Sequence, residues 1–340
     1  MEKQRKRVRL HDIASKAGVS VNTVSRALRD KSDVSGTTRE TIVHIAKELG
    51  YILPEPITFQ ERSIAIGVLI QDILNPFYAR VVQGIESILW QNRAKFIFQC
   101  SYRQESKERD ILEFFRRQAV DGLLITSVVS PEYALSRIQQ LNIPTVFLSQ
   151  RFEQYDVDYV INDNFEGAFI ATEHLIKLGH VRIAHIAGPD SQFSTHERLR
   201  GYQAALEQAH IPLDSPLVRF GDNTIESGYY LMKDLVQSEK PLTAVFVYND
   251  LMSLGALRAI KEAGLRVPTD ISIVGYDDIV FAEFFDVPLT TVHQPIGEIA
   301  RKAAEVLLEK IRTGDEYDRQ AIVLTPRLTI RSSTSVCPGQ

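Results

Sequence analysis

The chain has 340 residues, 44% of them hydrophobic, and a net charge of −4, which suits two or three domains with ordinary cores. Its two cysteines, Cys100 and Cys337, lie too far apart to suggest a disulfide framework and point to a reducing compartment. The charged start MEKQRKRVRL lacks the apolar stretch of a secretory signal, and no run approaches the roughly eighteen apolar residues of a membrane helix, so a cytoplasmic protein is expected.

The first predicted element is a helix, since Leu10, Ile13, Ala14 and Ala17 fall at i, i+3, i+4 and i+7. Gly18 ends it, because glycine takes a left-handed position without steric cost. Ser20 can cap a second helix. Val24 and Leu28 share one side of that helix, and Val21, Asn22 and Arg26 share another. Ala14 is small where the two helices approach. The pattern is that of a helix-turn-helix. Its spacing fits a DNA reader and an ordinary helical hairpin with a solvated face.

The charge distribution favours DNA. Residues 1–53 carry eleven Lys/Arg against six Asp/Glu, a net +5, so the remainder carries −9. A basic head on an acidic body fits a phosphate-binding module on a carrier. On this reading Ser20, Val21, Asn22, Thr23, Ser25 and Arg26 face the major groove, with asparagine suited to adenine and arginine to guanine. A third helix begins at Ser35, with Ile42, Ile45, Ala46 and Leu49 on its apolar face and Gly50 at its end. The head is assigned to 1–53. A linker follows at 54–62, where Pro54 and Pro56 discourage helix.

From Ile64 strands and helices alternate: IAIGVLI, a helix near 77–90, KFIFQC, a helix near 107–117, GLLIT, a helix near 133–141, then PTVFL. After Asn162 the rhythm restarts. A helix near 166–178 precedes RIAHIAG, a helix near 198–209 precedes a short strand at 217–220, and a helix near 226–236 precedes TAVFVY. A helix near 251–263, ISIVGY, a helix near 295–312 and late strands near 322–324 and 327–330 complete the chain. The fold class is therefore α/β: a three-helix head, then a core of two parallel-sheet lobes like a periplasmic binding protein. That architecture crosses between lobes three times, near Ile161, Thr290 and Ile322. Lobe 1 is then about 63–161 and 291–321, and lobe 2 about 162–290 and 322–340.

Ligands of open α/β sheets bind beyond the carboxyl ends of the strands. There the sequence places QDILNPFY, SQR, PDSQFSTHER, Asn249-Asp250 and Asp277-Asp278, a set of amides, carboxylates and aromatics suited to a polyhydroxylated or planar polar ligand. Asp250 and Asp278 are N-cap candidates. Arg198, Asn249 and Asp277 are harder to read as caps. No GxSxG, GxxxxGK[ST], HExxH or CxxC occurs, and the histidines lack paired metal spacing. Adjacent Asp277 and Asp278 point apart and make a weak acid/base pair. No catalytic residue, metal or cofactor is assigned.

VRLHDIASKAGVSVNTVSRAL and VSGTTRETIVHIAKELGY resemble the head of the lactose-repressor (LacI/GalR) family. DILNPFY, DNFEGA, HLIKLGH, ERLRGYQAAL, NDLMSLGALRAIKEAGLRVPTDISIVGYDD and LTTVHQP extend the likeness along the core. The resemblance implies a repressor that binds a pseudo-palindromic operator as a homodimer and answers to a small effector between its lobes. It places effector contacts at Phe77, Tyr78, Gln150, Asp163, Ser194, Arg198, Asn249, Asp277 and Gln294. Sugar-responsive members carry Asn-Asp where this chain has Asn249-Asp250, which implies a sugar or sugar derivative. A purine-type effector is the alternative, and a solute-binding protein with the same lobes is a further one. The family's Ala-Arg-Ser-Leu-like hinge helix has no counterpart in the linker, where Ile57 or Phe59 is the alternative wedge and an extended tether the other reading. The tail RSSTSVCPGQ lacks a leucine heptad, so no helical tetramerisation segment is expected.

Overall fold

A computed structural model of the chain describes residues 8–28, 34–51, 63–126, 128–152, 154–238 and 242–338. It divides into two compact units, Met1–Ser63 and Ile64–Gln340. The hinge candidates Ile57 and Phe59 lie outside the described residues.

The first unit holds α1 (Leu10–Ala17), α2 (Val21–Leu28) and α3 (Gly36–Glu48). Gly18 closes α1 in the left-handed conformation at φ 66°, with its N–H on the Ala14 carbonyl. Asp12 accepts from the Arg9 N–H at 2.8 Å and fixes the start of the same helix. Ser35 caps α3 by accepting from the Thr38 N–H. Ile13, Ala14, Val24, Ala27, Ile42 and Ala46 form the small core. Ala27, on the inner face of α2, is buried, whereas Leu28 is half-buried at its end.

The second unit begins with β1 (Ala65–Ile70), α4 (Pro76–Gln91), β2 (Lys95–Cys100), α5 (Glu105–Arg117), β3 (Gly122–Ile125), α6 (Pro131–Leu141), β4 (Thr145–Leu148) and β5 (Asp158–Asn162). It continues with α7 (Asn164–Lys177), β6 (Ile183–Ala187), α8 (Phe193–Gln208), β7 (Val218–Phe220), α9 (Ile225–Val236), β8 (Ala244–Val247) and α10 (Asp250–Glu262). β9 (Ser272–Asp277), β10 (Thr290–His293), α11 (Ile296–Thr313), β11 (Ala321–Leu324) and β12 (Arg327–Thr329) follow.

Among the described residues these strands form two six-stranded sheets, ordered β11-β5-β4-β3-β1-β2 and β12-β10-β9-β8-β6-β7. All pairings are parallel except β12 against β10. Each sheet is covered on both faces, so its inner strands β1, β3, β4, β6, β8 and β9 read as buried, largely apolar runs, whereas the edge strands β2, β7, β11 and β12 are partly exposed. In lobe 1, α4 and α11 cover one face through Val81, Ile85, Ala300 and Leu307. α5 and α6 cover the other through Leu112, Phe115, Leu135 and Ile138. In lobe 2, α9 and α10 oppose α7 and α8 in the same way.

The chain leaves the first sheet after Asn162, as expected, but returns only after His293 and crosses again after Leu324. The expected points near Thr290 and Ile322 are too early. β10 stays in register with β9 up to His293 opposite Asp277, and β11 stays paired with β5 up to Leu324 opposite Asn162. Two strands escape the apolar-run criterion. β5 begins at Asp158, a buried carboxylate that accepts from Tyr317 at 3.0 Å and from the Gln320 N–H at 2.7 Å and pairs with Lys310. β10 reads Thr-Thr-Val-His. The tail runs extended beside β9, where the Ile273 N–H donates to the Ser333 carbonyl at 2.8 Å and Ser333 Oγ to the Ile273 carbonyl at 2.6 Å. No helix among the described residues is long and apolar enough to cross a membrane.

α9 and α10 meet at two glycines. A Cβ on Gly255 would stand 1.9 Å from the Ile225 carbonyl oxygen, and one on Gly228 2.0 Å from that of Met252. Backbone cannot retreat as a side chain can, so Gly255→Ala is expected to cost about 2–3 kcal/mol. Urea unfolding should show a lower midpoint at unchanged slope. An unshifted midpoint refutes the close approach.

Candidate functional site

In the head, Ser20 Oγ accepts the Thr23 N–H at 3.0 Å and bonds the Thr23 hydroxyl at 2.8 Å, which starts α2. Two of the six candidate DNA readers thus use their hydroxyls in capping. Val24 and Ala27 turn inward, and Val21, Asn22 and Arg26 are exposed. Thr23 and Ser25 are half-buried. Asn22 and Arg26 are four residues apart and so neighbours on one exposed helix face.

In the second unit a cleft opens between the lobes at the carboxyl ends of both sheets. Eight of the nine candidate effector residues line it: Phe77, Tyr78, Gln150, Ser194, Arg198, Asn249, Asp277 and Gln294. Asp163 does not. It is the N-cap of α7, and its carboxylate accepts the Glu166 N–H at 2.9 Å. Its neighbour Asn164 lines the cleft instead, together with Gln71, Gln192, Asn223 and Tyr248. The first turn of α4 holds Phe77 and Tyr78 edge to face, with centroids 5.1 Å apart, behind the Asn75 cap. Helix α8 starts at Phe193, five residues before the expected Arg198, so Ser194 belongs to its first turn and Arg198 faces the cleft one turn further on. The turn that raises it is visible in the Gln192 N–H on the Pro189 carbonyl.

Arg198 is the buried cation of the cleft. Nε donates to Asn164 Oδ1 at 2.9 Å and Nη1 to the Tyr248 carbonyl at 2.5 Å. The guanidinium lies 3.5 Å from the Tyr276 ring centre and 4.5 Å from that of Tyr248. Tyr276 in turn accepts from Asn162 Nδ2 at 2.7 Å. Amide, carbonyl and two aromatic faces together compensate the buried charge.

Asp277 is the matching acid. Burial pushes its carboxyl up to about 7, against the pull of Arg198 and of Gln294 Nε2 at 2.6 Å. Beneath it Asp250 is fully buried and accepts from the Ile279 N–H at 2.8 Å and the Thr291 hydroxyl at 2.6 Å. Burial first, and then the neighbouring Asp277, hold Asp250 well above the usual carboxylate range. The capping roles expected here are reassigned. Asn249 is the N-cap of α10, accepting from Met252 N at 2.8 Å while its Nδ2 reaches Asn223. Asp250 is one residue past that cap. Asp278 turns away from the cleft to Arg331 at 2.6 Å and His293 at 2.8 Å. Burial raises its carboxyl, but these two partners outweigh that and hold it below the ordinary value. Asp277 and Asp278 therefore do not converge on one reacting atom.

Polar contacts join the lobes around the cleft. Gln71 accepts from Tyr78 of its own lobe at 2.8 Å and from Gln192 of the other at 3.3 Å. Arg80 Nη1 donates to the Asp278 carbonyl at 3.2 Å, and Arg103 donates to that of Asp222.

Comparison with known proteins agrees with this geometry. Residues 9–53 match the family model "Bacterial regulatory proteins, lacI family", and residues 172–334 match the "Periplasmic binding protein-like domain". Over 341 residues the chain is 35% identical to the HTH-type transcriptional repressor CytR of Escherichia coli strain K12, with 99% of each chain covered. The chain belongs to the lacI family of bacterial regulatory proteins. Among solved structures, this lacI-family regulator matches a complex of the transcriptional regulator CelR with cellobiose at TM-score 0.75 and 33% identity, covering 96% of this chain and 100% of that one. It matches the lac repressor dimer bound to operator and the anti-inducer ONPF at TM-score 0.77 and 31% identity, covering 97% and 100%. The regulator thus joins a helix-turn-helix head to an α/β core of two lobes.

Proposed function

We propose that this lacI-family regulator represses transcription by binding a pseudo-palindromic operator as a homodimer, and that a sugar or sugar derivative in the interlobe cleft sets its operator affinity. The observation that carries the reading is that Arg198 and Asp277 line one cleft. Arg198 has donors left beyond those on Asn164 and Tyr248, and Asp277 has an oxygen beyond that on Gln294. A hydroxyl accepts from the first and donates to the second, which suits a polyol. The sugar carried by the CelR complex supports the same class. One head buries modest area, so two heads on a two-fold axis match two half-sites. The lac repressor dimer on its operator supports that arrangement. The reading assigns the core no catalytic step and places the protein with its DNA in the cytoplasm. Coupling between cleft and operator is of the order of 1–3 kcal/mol and reciprocal.

Phe77, Tyr78, Phe193 and Tyr248 also line the cleft and favour a second reading, a planar purine-type effector. A thermal-shift panel of sugars, sugar phosphates and purines separates the two, since a ligand that binds only the folded state raises stability by mass action. A shift with purines alone overturns the sugar assignment.

The DNA assignment is tested at α2. Selection from random duplexes yields the operator. Arg26→Ala is then expected to lower discrimination between operator and scrambled duplex by about 1–3 kcal/mol, roughly 5- to 150-fold, and to leave the ligand-induced thermal shift unchanged. Unaltered selectivity removes Arg26 from the reading set.

A further inference from the structure

We infer that Arg80, on α4 of lobe 1, is the positioning residue that completes the Asp277 corner when the lobes close. The corner runs through two consecutive side-chain-bearing residues in the left-handed region, Asp277 at φ 114° and Asp278 at φ 53°. Side chains disfavour that conformation, and it persists only where the surroundings over-determine it. Lobe 2 supplies most of the restraint. Arg331 and His293 hold the Asp278 carboxylate at 2.6 and 2.8 Å, and the Asp278 N–H reaches Thr291 Oγ1 at 3.4 Å. Gln294, in the crossing after β10, holds Asp277 at 2.6 Å. The carbonyl of Asp278 is restrained from the other lobe, by Arg80 Nη1 at 3.2 Å across 198 residues of sequence.

The consequence is mechanical. Arg80 lies three residues after Phe77, on a helix whose first turn lines the cleft. One rigid element therefore carries two cleft aromatics and the hold on the corner that aims the cleft carboxylate. When α4 withdraws with its lobe, the corner loses the one of these restraints that lobe 2 and the crossing do not supply. Asp277 is then aimed for a ligand in the closed arrangement and released in the open one. A ligand shifts an equilibrium only by its differential affinity for the two states, and this corner supplies such a difference. The regulatory meaning rests on the cleft being the effector site; the contact itself is testable with no ligand present.

The test uses the full chain with Cys100→Ser and Cys337→Ser. Spin labels are placed at the exposed positions 132 on α6 and 226 on α9, and interlobe distances are read by double electron–electron resonance. Hydrogen exchange is followed by mass spectrometry over residues 276–281, where the Ile279 N–H is held by Asp250. Arg80→Met is expected to broaden and lengthen the distance distribution and to speed exchange at Ile279 about tenfold. Arg80→Lys, which keeps a donor, should fall between. Two outcomes overturn the assignment: distances and exchange that match the wild type, or faster exchange confined to α4 while 276–281 is unchanged. If Arg80→Met does not fold, the lysine variant decides by the same criteria. A wild-type chain that selects no operator refutes the proposed function and leaves this assignment standing.

Discussion

Asp277→Asn is expected to abolish the effector response while operator binding without effector stays intact. Asparagine preserves the shape of the side chain and can still accept from Gln294, which reaches one Asp277 oxygen at 2.6 Å. What it loses is the charged acceptor facing Arg198 in the buried cleft. Hydrogen bonds to a charged group contribute about 1.5–3 kcal/mol each, so the ligand hydroxyl on the free Asp277 oxygen accounts for about 1.5–3 kcal/mol, or roughly 10- to 150-fold in affinity. Calorimetry with the sugar identified by the thermal-shift panel measures this, and filter binding with operator DNA checks the head. The head forms its own compact unit with its own core, so filter binding reads it separately from the cleft. Ligand affinity within threefold of wild type moves the effector site out of this cleft.

The sequence was most informative where one residue decides the backbone. Gly18 and Ser20 mark the turn of the helix-turn-helix because left-handed backbone and a hydroxyl cap are local demands. The cleft residues were legible because strand ends are legible, and ligands gather beyond them. The errors came from shifts of one or a few residues at element ends. Asp163 and Asn164 are neighbours, but the first caps α7 and the second holds Arg198. Asn249 takes the cap expected of Asp250 and still lines the cleft, while Asp250 lies buried one residue further on, since either can precede a helix and only the packing of α10 chooses. Tyr248 and Asn164 meet Arg198 across 50 and 34 residues. Nothing in the sequence near Arg198 announces either. The crossings after His293 and Leu324 were misplaced because Thr-Thr-Val-His and Ala-Ile-Val-Leu do not show which sheet they join. That is decided by the partner strand.

The carboxyl of Asp277 should also give the protein two pH dependences of opposite sign. In the folded chain it titrates at about 7, against an ordinary value of 3.8, because burial favours the neutral form. The folded state thus binds a proton that the unfolded state has already lost between pH 4 and 7. Stability from this group is fully present below pH 4 and is lost as pH rises through 7. The difference is about 4 kcal/mol if the whole shift is realised. Asp278 and Glu113 act in the other direction, since partner residues hold both low. The quantity to measure is therefore the difference between wild type and Asp277→Asn in urea unfolding from pH 4 to 8, in which those contributions cancel. The asparagine variant should gain on wild type as pH rises. Effector binding runs the opposite way. A ligand whose hydroxyls donate to the carboxylate needs the ionised form, so affinity should rise almost tenfold per unit from pH 5, level off above 7, and span about 50- to 100-fold in all. The slope should vanish in Asp277→Asn. An affinity independent of pH over this range shows either that the bound ligand makes no use of the Asp277 charge or that the group is already ionised at pH 5. The unfolding difference separates these, because an Asp277 held neutral by burial makes the asparagine variant gain as pH rises, and the buried Asp250 that its charge holds high adds a change of the same sign.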